Sequence, residues 1–191
     1  MIILTILTIL TILSSFLANL ETKTLQSDFT VTVAEDVNAP MNYPGTITMQ
    51  GRQFALSMFG MEAAFDGKTL YMYTADRDEL SLTNPSEQEL VEANPFMYAR
   101  ALTNVCEITE REGSDGKTPI TVITLTPRDQ SFGINRFTLK VRTADLAPVL
   151  VEIKEGKKIS TLKLNNPKFV LEQQKYTIEP GKDTYVNDMR L

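Results

Sequence analysis

Alternation of apolar and polar residues with a period of two dominates the chain from Asp28 onward. The apolar positions of the first half include Phe29, Val31 and Val33, and the later runs repeat the same pattern. The runs occupy residues 29–33, 46–50, 53–58, 70–73, 79–83, 120–126, 135–142, 148–154, 158–164 and 176–179. Strict alternation is typical of strands with one apolar face and one face in water. The pattern therefore predicts about ten strands.

Short turn signals separate these runs, at Gly51-Arg52, Asp66-Gly67, Asp76-Arg77-Asp78, Asp115-Gly116 and Glu155-Gly156. Such close spacing indicates consecutive antiparallel hairpins and leaves no room for the helices of βαβ units. We therefore expect one antiparallel meander. A sheet of that width tends to curl or close, because its twist accumulates and a flat sheet leaves exposed edges.

Two short helices are predicted to interrupt the strands. The segment Asn84-Pro85-Ser86-Glu87 offers an N-cap at Asn84, a proline at the first helical position and a carboxylate three residues after the cap. The pair Asn94-Pro95 repeats the start signal, and apolar residues follow both starts. These are the helices predicted after the N-terminal segment.

Composition removes several functional classes. The 191 residues are enough for one domain, and the net charge of -5 comes without any basic run, so nucleic-acid binding is not expected. The chain has no histidine, the commonest general base and metal ligand. Its single cysteine, Cys106, lies in a strand-like run and is interpreted as a small buried hydrophobe. We expect no enzyme activity, cofactor or metal, although serine–lysine or paired-carboxylate hydrolysis remains formally open.

The first twenty residues, MIILTILTILTILSSFLANL, carry no charge and permit three interpretations. They could form the apolar region of a signal peptide cleaved near Ala18, although no basic residue follows Met1. They are also just long enough for a transmembrane anchor. In the third interpretation, residues 9–23 form an amphipathic helix whose apolar stripe is Leu13, Phe16, Leu17 and Leu20. We therefore treat residues 1–26 as an N-terminal apolar segment and residues 27–191 as the folded domain.

Five of the eight methionines fall between residues 49 and 97, namely Met49, Met58, Met61, Met72 and Met97. Methionine is flexible and polarisable, and it lines surfaces that accept ligands of irregular shape. Filling gaps in an ordinary core is the alternative explanation. A barrel of this length without tryptophan also has room for an interior cavity.

Residues 60–73, GMEAAFDGKTLYMY, continue through ELSLTNPS at 79–86 to Asn94-Pro95-Phe96. In this order and spacing the chain resembles the LolA-like outer-membrane lipoprotein carriers, in the form found in Bacteroidetes-type bacteria. The openings at residues 27–30, 45–47 and 51–54 are similar to the first three strands of that family, and residues 186–191 are similar to its ending. The resemblance spans roughly residues 13–191.

The resemblance implies a mainly β fold: an incomplete antiparallel barrel of about 10–11 strands, with short helices forming a lid. It implies a periplasmic chaperone, working as a monomer, that holds the acyl chains of lipoproteins. An inner-membrane complex would release the cargo to it and an outer-membrane acceptor would receive it. It also implies that the segment before Ser27 is the first lid helix. Carriers of this family hold the lid closed through an arginine on an early strand, and Arg52 is the nearest candidate here.

We therefore predict that one inward set of side chains binds the acyl chain: Met49, Phe54, Leu56, Met58, Leu70, Met72, Leu80 and Leu82 on the wall, with Phe96 and Met97 on the lid. Three alternatives stay open at this point. The cavity could hold or sense another lipid, or the protein could be a lipid-acting hydrolase. The third is a purely structural or adaptor barrel, which would have a fully packed interior without a pocket.

Overall fold

The computed structural model describes residues 2–35, 40–129, 133–172 and 174–190, with the side chains of residues 2–11 and 92 left out of the description. Within these residues there are three α-helices, a single 3₁₀ turn at Ala75–Arg77 and twelve strands. The helices are α1 (Ile2–Thr22), α2 (Glu87–Ala93) and α3 (Pro95–Leu102). The strands are β1 (Thr24–Glu35), β2 (Met41–Gln50), β3 (Gln53–Met58), β4 (Met61–Phe65), β5 (Leu70–Thr74), β6 (Glu79–Thr83), β7 (Cys106–Asp115), β8 (Thr118–Pro127), β9 (Arg136–Arg142), β10 (Pro148–Glu155), β11 (Lys158–Val170) and β12 (Tyr185–Asp188).

All twelve strands belong to one sheet in the order β12-β6-β5-β4-β3-β2-β1-β11-β10-β9-β8-β7. The prediction of a mainly β, incomplete antiparallel barrel with short helices is confirmed. The connectivity differs from the single meander that was expected. Strands β1–β6 form one meander and β7–β11 a second, and the two join where β1 pairs with β11. Helices α2 and α3 connect β6, next to one edge of the sheet, to β7 at the opposite edge.

The strand register assigns the apolar positions to one continuous inner face. Directly paired residues of antiparallel strands lie on the same face of a sheet. One row of such partners runs across five strands, through Leu25, Met49, Phe54, Phe65 and Leu70. Most of this row is buried, and it belongs to the core cluster that includes helix residues. The inner face therefore faces the helices.

The inner face of β8, β9 and β10 is densely packed. Ile153, which pairs with Phe137, is half-buried, and six other inward side chains are at most 1% exposed: Ile123, Leu125, Phe137, Leu139, Val141 and Val151. Tyr98 of α3 contacts the ring of Phe137 edge-on, with the centroids 6.2 Å apart. We call β8–β10 with the helices above them the filled half. Dense packing of this kind is the usual source of stability in a small domain.

Helix α1 contributes its amphipathic stripe to the same core. Leu13, Phe16 and Leu20 are buried and Leu17 is half-buried, at the helical spacing of the sequence pattern. The ring of Phe16 lies 5.8 Å from that of Phe96 in α3, so α1 and α3 pack directly against each other. Within the residues whose side chains are described, no helix is both long enough and apolar enough to span a membrane.

The predicted strand at residues 176–179 is wrong. Residues 174–184 form no strand, and the last strand, β12, lies further along the chain and pairs in parallel with β6. The apolar alternation of this segment has another cause, because Tyr176 is buried and Ile178 is half-buried beside Tyr73 and Glu62 on the outer face. The C-terminal segment therefore covers part of the face opposite the helices.

The helix α2 starts two residues later than predicted. Its N-cap is Ser86, whose hydroxyl accepts a hydrogen bond from the Glu89 backbone N–H while the Glu89 carboxylate accepts one from the Ser86 backbone N–H. This reciprocal capping box satisfies two backbone donors and outweighs the weaker cap that Asn84 offers. The second prediction is confirmed: the Asn94 side chain accepts hydrogen bonds from the N–H groups of Phe96 and Met97.

Candidate functional site

A cavity of about 250 Å³ lies between the inner face of the barrel and all three helices. Its floor is Met49 of β2, and its walls are apolar side chains from each helix. The apolar lining residues are Leu17, Leu20, Met49, Val91, Phe96, Met97 and Ala101. Because every helix contributes a wall, the cavity exists only when α2 and α3 lie against α1 and the sheet.

Four charged residues surround the cavity and form two ion pairs. Arg52, in the β2–β3 turn, pairs with Glu87 at the start of α2. Arg100 of α3 pairs with Glu21 near the end of α1. We call Glu21, Arg52, Glu87 and Arg100 the rim. We call α2 and α3 the lid. One pair joins α2 to the sheet and the other joins α3 to α1, so both cross the boundary between the lid and the rest of the protein.

A backbone hydrogen bond fixes the β2–β3 turn that carries Arg52, while the side chains of the Arg52–Glu87 pair are exposed to solvent. The Gly51 N–H donates to the Leu20 carbonyl at 2.6 Å, which ties the β2–β3 turn to the end of α1. The Arg52 and Glu87 side chains are 46% and 71% exposed. Exposed ion pairs typically contribute less than about 1 kcal/mol, because water screens them and the side chains lose rotamer freedom. The rim therefore holds the lid weakly.

Three of the predicted site residues line this cavity: Met49, Phe96 and Met97. Arg52 also lies here and contacts the lid helix α2. Whether these residues bind a ligand stays a prediction. Met49 and Phe96 are almost fully buried, and Met97 is half-buried. In the cavity as it stands, Met97 is therefore the more accessible of the two lid residues.

The remaining inward residues lie on the same face but outside the cavity. Phe54 is buried in the core, while Leu56, Met58 and Leu70 are half-buried. Met72 is 38% exposed. Direct pairing places Leu56, Ala63 and Met72 in one row, and Met58 and Met61 in the next row outward. The inner face of β2–β5, which we call the open half, thus becomes more exposed with distance from the cavity.

Leu80 and Leu82 do not share the inner face. Leu70 pairs directly with Thr83 and Met72 with Ser81, so the two leucines alternate onto the outer face with Tyr71 and Tyr73. They are nevertheless buried: β12 pairs with β6 along this edge, and the C-terminal segment places Ile178 beside neighbouring Tyr73 on the same outer face. Their inclusion in the inward set was wrong. Alternation showed that β6 has one apolar face, but not which side of the sheet that face occupies.

Sequence reasoning missed four apolar lining residues, Leu17, Leu20, Val91 and Ala101. Leu17 and Leu20 were recognised as part of an amphipathic stripe but not assigned to the cavity, and the apolar character of Val91 was interpreted only as a helix face. Three residues of the rim were also missed, namely Glu21, Glu87 and Arg100. A helix pattern identifies the apolar face but not the element it covers, because that depends on tertiary packing.

The motif Asp66-Gly67-Lys68-Thr69 forms the β4–β5 turn and takes no part in the cavity. Burial acts to raise the pKa of Asp66, but hydrogen bonds from the backbone N–H groups of Thr69 and Lys68 and from the Tyr71 hydroxyl outweigh it and lower that pKa. The ionised carboxylate is therefore favoured in the folded protein, where it orders the turn. This is a structural use of the motif, not that of a phosphate-binding loop.

The lining suits an apolar ligand and offers little for chemistry. Among the residues that line the cavity there is no serine, threonine, cysteine, tyrosine or lysine to serve as a nucleophile. The polar groups are the four rim side chains, which form ion pairs at the mouth. An apolar cavity with a few charged groups at its entrance is typical of sites that bind the tail of an amphiphile.

The chain shares its overall fold with proteins of known structure. No protein-family model matches the chain, and no curated protein matches it in sequence. Among solved structures, an uncharacterized conserved protein from Thermus thermophilus is similar over 92% of this chain and 96% of that one, with 10% identity and a TM-score of 0.63. A chain of the Pseudomonas aeruginosa MucA/MucB complex is similar over 83% of this chain and 56% of that one, with 15% identity and a TM-score of 0.52.

A LolA superfamily protein from Nitrosomonas europaea is a looser match, with 13% identity, coverage of 86% and 97%, and a TM-score of 0.41. At that score the two backbones differ too much to be equated. At these levels of identity a shared fold carries no information about ligand or partner. The function has to be argued from the cavity.

Proposed function

We propose that the protein is a periplasmic carrier that binds the acyl chains of lipoproteins in the cavity beneath α2 and α3 and delivers them to the outer membrane. The observation that carries the proposal is the apolar cavity itself, which is bounded by the sheet and three helices and opens at the charged rim. Acyl chains suit such a space, while the polar end of a lipoprotein would remain at the rim.

The size of the cavity indicates that the lid must move. At about 250 Å³ it lies below the roughly 300–1,000 Å³ that is usual for ligand pockets. A long acyl chain therefore requires α2 and α3 to shift away from Met49. The rim permits this, because the two ion pairs that cross the boundary are exposed and weak. Binding would then select a more open form of the lid.

A lid whose opening costs free energy suits release without an energy source. Burying one methylene contributes about 0.8 kcal/mol, so an acyl chain of roughly sixteen carbons has on the order of 10 kcal/mol available. A carrier must keep its net holding energy well below that figure. Separating α3 from α1 exposes buried rings such as Phe16 and Phe96, and this cost is subtracted from the binding energy.

The assignment to lipoproteins rests on the sequence resemblance to LolA-like carriers, and so does the periplasmic location. The cavity alone fits any single-chain amphiphile. A lipid-binding protein without a carrier role is therefore the competing function. The hydrolase hypothesis loses support, because the residues that line the cavity include no serine, threonine, cysteine, tyrosine or lysine, and both lining glutamates are held in ion pairs with arginine.

Ligand identification tests the proposal. The protein would be purified from the periplasm of its own host, and its extract analysed by mass spectrometry for lipids and for co-purifying lipoproteins. Acylated proteins in the extract are the expected result. Free phospholipid or fatty acid alone would replace the carrier function with lipid binding, and an empty cavity in protein purified from the host would contradict both.

A pair of lid variants tests the site. Met97→Glu places a carboxylate on the cavity side of α3, whereas Ala93→Glu places one at the exposed end of α2. We expect Met97→Glu to weaken binding of a fluorescent fatty acid at least about tenfold, because the charge would have to be buried with the chain. Ala93→Glu should bind normally. Equal affinities in two variants with unchanged circular dichroism would show that the ligand lies elsewhere.

A further inference from the structure

An exposed apolar tip lies at the end of the open half, away from the rim. It consists of Met41 and Tyr43 on β2 and Phe59 in the β3–β4 turn. Phe59 is 63% exposed and Met41 is 58% exposed. The ring of Tyr43 meets that of Phe59 edge-on at 4.9 Å, and the Tyr43 hydroxyl donates to the Met41 sulfur at 3.2 Å. The three side chains therefore form one patch.

The backbone of Phe59 makes this exposure unusual. Phe59 and Gly60 are the two residues of a tight hairpin, and both have positive φ, 56° and 68°. Asparagine or glycine is the usual choice at the first of these positions, because a bulky side chain is disfavoured in the left-handed region. The β2–β3, β7–β8 and β10–β11 hairpins of this chain place Gly51, Gly116 and Gly156 there. A phenylalanine at this position thus costs stability and gains little burial in return.

Residues that violate a local rule without a folding benefit are frequently functional. Here the ring gains one aromatic contact but remains mostly in water. An exposed phenylalanine beside an exposed methionine and a half-buried tyrosine is a combination that inserts readily into the apolar part of a bilayer, with the tyrosine hydroxyl at the polar boundary. The Phe59 ring lies on a two-residue turn and is mostly in water, so a deformable surface such as a bilayer can receive it without a preformed pocket.

The tip is continuous with the interior of the barrel. From Phe59 the inner face leads through Met58 and Met61 to Met72 in the adjoining row, and then to the buried row that contains Met49. We call Met58, Met61 and Met72 the methionine strip. An apolar path therefore joins the tip to the floor of the cavity. A lipid membrane is the partner that fits this arrangement, because its acyl chains could contact the tip and then follow the path to the cavity.

We propose that the β3–β4 tip docks on lipid membranes by inserting Phe59, with Met41 and Tyr43, into the outer part of the bilayer. The net charge of -5 opposes attraction to anionic lipid, so apolar insertion has to supply the binding. Docking should therefore be only weakly sensitive to salt. This inference goes beyond the proposed function, and the two can fail independently.

Vesicle flotation of the full chain tests the proposal, with vesicles of phosphatidylethanolamine and phosphatidylglycerol. Phe59→Asn is the decisive variant, because asparagine suits the left-handed turn. We expect its membrane partitioning to fall at least about tenfold while its melting temperature stays equal or rises. Leu171→Asn is the matched control, since Leu171 is 83% exposed but lies just beyond the end of β11. It should partition like the unchanged protein.

Two results would overturn the proposal: failure of the unchanged protein to float, or equal flotation of Phe59→Asn. If Phe59→Asn does not fold, Met41→Gln carries the test, with a smaller loss expected. A soluble fluorescent fatty acid separates this inference from the proposed function. Its affinity should be unchanged in Phe59→Asn, and a chain that floats but binds no fatty acid would contradict the carrier function alone.

Discussion

The two halves of the inner face are built from similar alternating strands but end in different states. In the filled half, most inward side chains of β8–β10 are almost completely buried, and Tyr98 of α3 packs against Phe137. In the open half, inward residues pass from buried Met49 and Phe54 to half-buried Leu56 and Met58 and on to exposed Phe59. The open half also carries methionines at its exposed end, where the filled half carries branched aliphatic and aromatic side chains.

The filled half is suited to stabilising the fold, and the open half is suited to binding a ligand. Completely packed side chains cannot accept a ligand without large repacking, since interiors are as dense as organic crystals. Half-buried methionine and leucine side chains can rearrange around an acyl chain at low cost. One sheet can therefore provide a rigid support along β8–β10 and an adaptable surface along β2–β5. This division can be tested by matched substitutions in the two halves.

The largest expected effect is the loss of a ring from the filled half. Phe137→Ala should lower the free energy of unfolding by about 3–5 kcal/mol, because it leaves a cavity among fully buried side chains. Phe59→Ala, in the open half, should change it by no more than about 0.5 kcal/mol. Urea denaturation measures both. Similar losses in the two variants would contradict the division into halves.

The next effect concerns the binding surface. Met72→Glu places a carboxylate on the methionine strip, where the side chain is already 38% exposed, so the fold should tolerate it. We expect the affinity for a fluorescent fatty acid to fall about tenfold, which corresponds to about 1.4 kcal/mol. Leu171→Glu adds the same charge just beyond the end of β11 and serves as the control. If Met72→Glu binds normally, the ligand does not extend along the strip.

A smaller effect is expected at Glu110, on the inner face of β7 at the edge of the filled half. Its Oε2 atom is buried without a hydrogen-bond partner, and burial, with a further contribution from Glu112, raises the pKa of its carboxyl. The folded protein therefore binds this proton more tightly than the unfolded chain. Stability should fall as the pH rises from below the unfolded pKa to above the folded one.

Glu110→Gln should remove this pH dependence and raise the free energy of unfolding at neutral pH by about 1 kcal/mol. Denaturant titrations at acidic and neutral pH measure the change. Glu107→Gln, an exposed position on the same strand, is the control and should alter neither quantity. A Glu110→Gln variant less stable than the unchanged protein at neutral pH would show that the carboxylate has a favourable partner.

The smallest expected effect is at the rim. Arg52→Gln removes the ion pair with Glu87 and should change stability by less than about 0.5 kcal/mol, but it should speed release of a bound fatty acid about twofold. Arg136→Gln removes an arginine that is as exposed as Arg52 and that pairs with Glu152 on the outer face, and it should leave release unchanged. Stopped-flow displacement measures the rates. Identical release rates in the two variants would exclude a latch function for Arg52.

Local patterns explain why much of the fold was predictable. Alternation and turn residues act within a few positions, so the strand runs from residue 29 to residue 164 correspond to observed strands. The sequence also contained the correct start of α2, because Ser86 and Glu89 have the spacing of a capping box. The misassigned segment at residues 176–179 alternates for a different reason, namely its position across the outer face.

The site was predictable only in part. Neighbouring residues do not determine which face of the sheet a strand's apolar side chains occupy, nor which helices pack over that face. Leu80 and Leu82 alternate as regularly as Leu70 and Met72, yet the turn between β5 and β6 places them on the opposite face. Three of the predicted wall and lid residues, Met49, Phe96 and Met97, meet in one cavity. The helix residues that complete the cavity come from all three helices, and those of α1 are far from the others in sequence.

The sequence by itself determined that this chain forms antiparallel strands with one apolar face and short helices between them, because backbone period and capping depend on neighbouring residues. Only the tertiary structure decided which part of that apolar face is filled and which is open. That choice depends on contacts between distant residues: Phe16 with Phe96, Leu20 with Gly51 and Glu21 with Arg100. The first and third contacts hold α1 against α3, and the second ties α1 to the β2–β3 turn. The methionine strip and the tip lie towards the opposite end of β2–β5 and stay accessible.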